Sequence, residues 1–315
     1  MRYYRVLFVT LFVVLQSTSQ INKLNTVSNM LPVVHINAQS PVKHQGVKYT
    51  CTAFAIAAAF ETFPGVPKDL SEKYLYAFQK GYQYNNKAIT RGHKLEFYIS
   101  SLQKDGAIEE KYLPYELDYK KVESMTEGEF GKYLYEGEVG FFNLILNYKD
   151  KAVVFLDQYE YLNTEKARNI EYLKQQLRNG VKAIPVSYVV YSPAWNSFPS
   201  RQYNTITPNI GFKVKTITGN YVTYEQAKGL FGKDINSKIN NNQVVMETAD
   251  LEINYMGHAV VIVGYDNEGF IIKNSYGPAW RFGGYERISY DFHELFSTEA
   301  LIIKSVKTKK RKWWK

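Results

Sequence analysis

The chain carries a single cysteine, Cys51, and five histidines, so thiol chemistry has one candidate nucleophile and few candidate bases. A lone cysteine forms no internal disulfide and is packing, a metal ligand or a reactive group. Cys51 heads the run CTAFAIAAAFETF, rich in helix formers, apolar on every face and followed by Pro64 and Gly65, a pattern that predicts a short buried helix. A side chain in the first turn of such a helix faces unpaired backbone N–H groups and the positive end of the helix dipole, which favour thiolate over thiol. The competing reading is inert burial, common for cysteine. A cysteine nucleophile also needs a base, a group that orients the base and donors for the oxyanion. His258 opens the strand-like run HAVVIVGY, which meets the turn signal DNEG, and the next run, FIIKN, ends at Asn274. The two runs read as a hairpin. Counting about the turn pairs Asn274 near Val261, so contact with His258 requires a bulge or a bend.

The elements that must position these residues change character along the chain. From Leu70 to about Leu102, Leu, Tyr and Phe recur at three- and four-residue steps and predict helix. From Gly180 onward, runs such as VKAIPVSYVVY, GFKVKTITGNYVTY, GFIIKNSY and YERISY predict strand. Helices followed by strands imply an α+β protein of two lobes, in which a nucleophile at a helix head in one lobe faces residues of the other. The stretch from about residue 118 to 164 fits neither pattern.

Residues 1–19 pair Arg2 and Arg5 with the apolar stretch Val6 to Leu15 and small residues at Ser17 and Ser19. This is the layout of a secretory signal peptide, and its apolar core falls short of the roughly 20 residues that span a membrane. An exported protein, secreted, periplasmic or held at the cell surface, is expected. The formal charge of +9 sits at the ends: setting aside Arg2, Arg5 and the seven basic residues from Lys304 to Lys315 leaves 30 basic against 30 acidic residues. A neutral body argues against nucleic acid as a partner. The basic, tryptophan-bearing tail, residues 304–315, reads as a solvated end with at most weak contact to an anionic surface. No HExxH is present, the remaining histidines His35, His44, His93 and His293 are scattered, and GLFGK at 229–233 lacks P-loop spacing. Neither a metal nor another cofactor is expected.

The segment 41–60, PVKHQGVKYTCTAFAIAAAF, resembles the active-site helix of papain-family cysteine peptidases, and GHAVVIVGYDNEGFIIKNSYGPAWRFGGYERI, residues 257–288, resembles that family's histidine strand and asparagine motif. SEKYLYAFQKGY, GHKLEFYISSLQKDGAIEEKYLPYE and LKQQLRNGVKAIPVSY resemble its intervening helices and first barrel strand. The resemblance implies a papain-like two-lobe α+β fold over residues 31–303, a helical lobe over about 31–150 and an antiparallel β-barrel-like lobe over about 151–303, with the cleft between them. Residues 20–30 would be a short leader, too short for a folded inhibitory domain. It also implies peptide hydrolysis through an acyl-enzyme: Cys51 attacks as thiolate, His258 protonates the leaving amine, Asn274 orients the imidazole, Gln45 and the Cys51 N–H hold the oxyanion, and Trp280 covers the His258–Asn274 pair. Gly92 would pair with an extended substrate backbone, and Val189 and Met256 would line an apolar specificity pocket, although both suit a core equally well.

The departures from the family pattern are as informative. Lys48 stands where many members carry a disulfide cysteine, and Thr52 where a tryptophan often follows the nucleophile. The resulting CTAFA resembles bacterial and archaeal members, which implies a prokaryotic source. Tyr276 and Arg281 replace a common tryptophan and glycine, and Arg91 precedes Gly92 where two glycines are usual. Residues 192–255 exceed what the resemblance requires, and this insertion is expected to form a lid or side wall over the cleft. A noncatalytic binding protein on the same scaffold, or an acyltransferase or amidase using the same residues, remains open at this point.

Overall fold

A computed structural model describes residues 32–84, 94–116, 121, 124–126, 129–130, 133, 147–191, 195, 205–209, 212–248 and 255–309. Its centre is α1, Cys51–Phe60, whose ten residues are all buried. An alanine-rich sequence lets neighbouring backbones approach closely, and an apolar surface on every face suits a helix enclosed on all sides. Around it lie α2 (Glu72–Tyr84), α3 (Ile99–Lys104), which a 3-10 turn at Leu95–Tyr98 introduces, and strands of the second lobe. The helical periodicity expected from Leu70 to Leu102 thus yields helix on both sides of residues 85–93, which lie outside the described residues.

The second lobe is a fully antiparallel sheet in the order β2-β10-β3-β7-β8-β9, made of β2 (Val154–Leu162), β3 (Ile184–Tyr191), β7 (Tyr255–Tyr265), β8 (Gly269–Lys273), β9 (Tyr285–Ser289) and β10 (Ser297–Thr308). The short strand β1, Val33–Val34, pairs with the end of β7. There a Cβ on Gly264 would stand 2.4 Å from the Val33 carbonyl oxygen, so only glycine permits the approach. β2 lies in the stretch that sequence patterns left untyped.

β7 joins the lobes. Its side chains alternate, as in any strand: Ala259, Val261 and Val263 pack with α1, while Val260 and Ile262 enter the barrel core with Phe270, Ile272 and Ile288. With both faces covered, the strand is a continuous apolar run rather than an alternating one.

The insertion folds as a small unit on the barrel lobe. Strands β4 (Phe212–Lys215), β5 (Tyr221–Val222) and β6 (Val245–Thr248) form a sheet in the order β5-β4-β6, accompanied by α6 (Tyr224–Phe231) and α7 (Ile235–Asn240). This unit packs on α8, Tyr290–Phe296: Val214, Tyr224 and Ile235 cluster with Leu295, Phe212 stacks on Phe296 with centroids 4.2 Å apart, and Lys228 pairs with Asp291 at 2.9 Å. Two further helices, α4 (Thr164–Ala167) and α5 (Ile170–Arg178), lead into β3.

One expectation changes. Lys304 and Lys307, expected in a solvated tail, belong to β10 and pair with Glu160 and Asp157 across the sheet, each at 2.8 Å. Strand pairing continues to Thr308 opposite Val154, because β2 is long enough to carry it, and residues 310–315 of the tail lie outside the described residues. Lys48, in place of a disulfide cysteine, is buried; its ammonium donates to the Met125 carbonyl at 2.6 Å and sits 5.5 Å from the Phe130 ring centre. The covalent staple gives way to a charge-assisted tether. Residues 1–31, including the expected signal segment, lie outside the described residues, and among the described residues no helix is long and apolar enough to cross a membrane.

Candidate active site

His258 lies in β7, 1% exposed, and its Nε2 is 2.8 Å from Asn274 Oδ1. The contact depends on a bulge. β7 pairs with β8 as Val261 with Lys273 and Ile262 with Ile272, but then as Gly264 with Ile271, which leaves Val263 unpaired. The extra residue moves the register by one, so Asn274, continuing past Lys273, comes opposite Val260 instead of Val261. Partners in an antiparallel ladder project to the same face, so the bulge puts Asn274 on the face of Val260 and His258. The bulge that a simple hairpin lacked is present.

The bond also fixes the tautomer. Asn274 Oδ1 accepts from the Ser275 backbone N–H at 2.7 Å, which identifies that atom as the oxygen. His258 Nε2 therefore donates, and the lone pair of the neutral ring is on Nδ1, a buried atom with no hydrogen-bond partner among the described residues. Burial pulls the imidazole down to about pKa 4, partly offset by the Asn274 bond.

Cys51, 6% exposed, starts α1. Burial raises its pKa, and the backbone N–H groups of Ala259, Thr52 and Cys51 itself pull the other way. Ala259 follows His258 in β7, so the thiol of one lobe meets the strand that carries the imidazole of the other. The net direction corrects the expectation from the helix start: the amides and the dipole do act on the sulfur, yet desolvation outweighs them. Burial thus favours the neutral form of both the thiol and the imidazole.

Gln45 precedes the helix and is 3% exposed. Its Oε1 accepts from Ser275 Oγ at 2.5 Å, its Nε2 donates to the Lys48 carbonyl at 2.6 Å, and its backbone N–H donates to the Ser275 carbonyl at 2.7 Å. A carbonyl only accepts, so the amide orientation is fixed with one Nε2 hydrogen still available. Ser275 thus orients both Asn274 and Gln45. Sequence reasoning missed it, although a polar residue directly after Asn274 was a signal.

The aromatic cover differs from expectation. Tyr276 lies 4.8 Å and Trp195 5.7 Å from the His258 ring centre, whereas Trp280 packs behind them, 6.1 Å from each, with its indole N–H donating to the Trp195 carbonyl at 3.3 Å. The role given to Trp280 falls first to Tyr276 and Trp195. Trp195 comes from the start of the insertion, which therefore supplies a wall at the imidazole while its described sheet and helices stack on α8. Beside Trp280, Arg281 holds a left-handed backbone, φ 46°; its guanidinium lies 5.6 Å from the Trp280 ring centre and pairs with buried Glu286 at 3.8 Å.

Val189 pairs with Gly257 and Val190 with Met256. The register puts Val189 and Met256 on opposite faces of the β3–β7 pair, Met256 against the barrel core, so it gives them no common face. Gly92 lies outside the described residues. No group of three or more metal-ligating side chains occurs among the described residues.

A partly buried ionic cluster, with Glu72 and Lys273 inside and Asp69 exposed, underlies the site. Lys43 pairs with Glu72 at 2.9 Å and Asp69 at 2.7 Å, and Lys273, next to Asn274, donates to the Ser40 carbonyl at 2.8 Å. Burial lowers Lys273 to about pKa 8 and raises Glu72 to about 8.

Comparison with known proteins gives three findings. The sequence profile of the papain family cysteine proteases matches residues 233–304. No curated protein matches the chain. Among solved structures, xylellain, a cysteine protease from Xylella fastidiosa, is similar with 21% identity and a TM-score of 0.52 over 88% of this chain and 86% of that one. The cysteine protease and lectin-like domains of Cwp84, a surface layer associated protein of Clostridium difficile, are similar with 17% identity and a TM-score of 0.53, covering 89% of this chain and 54% of that one. The chain thus spans about half of the Cwp84 structure. With the family profile on the segment that carries His258 and Asn274, and the same architecture in these cysteine proteases, the chain has a papain-like two-lobe fold.

Proposed function

We propose that the protein is a cysteine peptidase that hydrolyses peptide bonds through Cys51, His258 and Asn274. The observation that carries the reading is the His258–Asn274 bond: it protonates Nε2 and leaves Nδ1 as a free base in the strand whose Ala259 amide acts on the thiol.

In this reading the Cys51 proton passes to His258 Nδ1 as the sulfur attacks the substrate carbonyl carbon. Because burial favours the neutral form of both groups, the charge separation arises as the bond forms, and Asn274 holds the resulting imidazolium. The oxyanion takes hydrogen bonds from Gln45 Nε2 and the Cys51 N–H; loss of one such donor costs on the order of 100 to 1,000-fold in rate. Collapse expels the amine, which Nδ1 protonates, and leaves a thioester. Water, deprotonated by Nδ1, attacks that thioester, and its collapse returns the acid and the thiol. Tyr276 and Trp195 keep bulk water from the imidazole. The pattern of residues 1–19 supports export, so the peptide or protein substrate would be met outside the cytoplasm.

The test is turnover of a broad peptide library by wild type and Cys51→Ala. Cleavage by wild type alone supports the reading. Equal behaviour of the two proteins rejects it.

A further inference from the structure

The two donors of the oxyanion site are held by different parts of the molecule. Gln45 is fastened to Ser275 of the barrel lobe through its backbone N–H and its side chain, whereas the Cys51 N–H belongs to the head of α1. Between them runs a turn, residues 45–50, with Gly46 at φ 70° and the Lys48 carbonyl accepting from both Gln45 Nε2 and the Thr50 N–H. The relative placement of the two donors depends on the shape of this turn.

One side chain grips both of its ends. The Tyr115 hydroxyl is 2.9 Å from the Gln45 carbonyl oxygen and 2.8 Å from Thr50 Oγ1. A phenol has one proton and the carbonyl can only accept, so Tyr115 donates to Gln45 and the Thr50 hydroxyl donates to Tyr115. That assignment explains a second feature. Thr50 is the N-cap of α1, and threonine there ordinarily accepts from a first-turn N–H; here it makes no side-chain cap bond. Its hydroxyl is turned to Tyr115, and the Thr52 amide, which a cap would bind, acts on the sulfur together with the Cys51 amide. Tyr115 is itself placed against the same helix: its ring meets Phe54 edge-to-face, centroids 4.8 Å apart at 88°, and its backbone N–H donates to Glu110.

We propose that Tyr115 is a positioning residue of the oxyanion site, clamping Gln45 and Thr50 so that the Gln45 amide and the head of α1 keep one spacing. The inference rests on the peptidase reading for its kinetic consequence, but the clamp itself is a property of the turn.

The test uses Tyr115→Phe, which keeps the ring on Phe54 and removes only the hydroxyl. Two reactions of Cys51 are compared at one pH: turnover of a peptide amide, which develops an oxyanion, and alkylation by iodoacetamide at a saturated carbon, which does not. The expected result is a fall in kcat of about tenfold, a fraction of the loss for a whole donor, with KM and the alkylation rate within about twofold of wild type. In a Gln45→Ala background the same substitution should add little, since residues that act as one unit are not additive. Parallel loss of turnover and alkylation, or no loss of turnover, overturns the proposal. Hydrogen exchange of the amides from Gln45 to Cys51 reads the clamp without substrate: exchange should quicken in this segment of the folded variant, and unchanged exchange overturns the clamp. A wild type that alkylates but turns over no peptide, with quickened exchange in the variant, rejects the peptidase reading and leaves the clamp standing.

Discussion

His258 and Asn274 meet at 2.8 Å because β7 contains one residue more than its partner strand requires. Val263, the extra residue, carries Asn274 to the face on which His258 projects. The pairing of base and orienting group is thus a consequence of strand register, and the Ser275 N–H then settles which Asn274 atom faces the ring.

Orientation and proton transfer should separate on substitution. Asn274→Ala leaves Nδ1 in place but frees the ring, and kcat should fall by about tenfold to 100-fold; His258→Ala removes the base, and the fall should reach about 1,000-fold or more. Steady-state kinetics on one peptide substrate checks this, and equal losses contradict the roles assigned.

The thiol should titrate lower when a buried negative charge is removed. Glu299 accepts from the Leu95 N–H at 2.9 Å, Ser187 Oγ at 3.0 Å and the Tyr161 hydroxyl at 3.1 Å, and its charge adds to the burial that raises Cys51. Glu299→Gln keeps an acceptor of similar shape. The inflection of iodoacetamide alkylation against pH should move to lower pH, and an unmoved inflection contradicts the electrostatic link.

Opening the aromatic cover should change the base. With Trp195→Leu, water reaches His258, the desolvation that lowers its pKa weakens, and the acidic limb of the pH–rate profile should move to higher pH. Stability should fall by about 3 kcal/mol, as for a large-to-small change in a core. An unchanged acidic limb in a folded variant would show that Trp195 does not set the environment of the ring.

Acid should unfold the protein through buried neutral histidines. His293 accepts from the Tyr188 hydroxyl at 2.7 Å through Nδ1 and donates to the Ala167 carbonyl at 2.9 Å through Nε2, and burial lowers it, like His258, to about pKa 4. An unfolded histidine binds its proton near pH 6.5, so between pH 6.5 and 4 the unfolded chain holds more protons than the native one. This contribution is present above pH 6.5 and lost as pH falls to 4, about 3 kcal/mol for each ring. Denaturant titrations at several pH values should show the slope, and His293→Gln should remove about half of it. A slope unchanged by the substitution contradicts the assignment.

How much of this was legible in the sequence varies from residue to residue. The setting of Cys51 and the order of Gln45, His258 and Asn274 follow from local patterns and their family resemblance. The bulge at Val263 does not, because AVVIV is buried on both faces and lacks the alternation that would reveal a slip. Trp195 belongs to an insertion with no counterpart in the resemblance. The bonds of Ser275 and Tyr115 to Gln45 cross 230 and 70 residues of sequence, which no periodicity encodes. Three short helices, α6, α7 and α8, were hidden in a half dominated by strands, although the capping box of Thr223 with Gln226 and the cap at Ser289 mark two of their starts. The sign of the Cys51 shift was beyond reach, since it depends on how completely two lobes exclude water from one sulfur.

The most direct test of Cys51 as nucleophile is intact-mass analysis of protein quenched in acid during turnover of a peptide ester. A mass increase equal to the acyl group, mapped to the Cys51 peptide, absent from Cys51→Ala and decaying as substrate is exhausted, is the predicted result. Steady product formation by Cys51→Ala, or by wild type with the acyl group mapped to another residue, would contradict it.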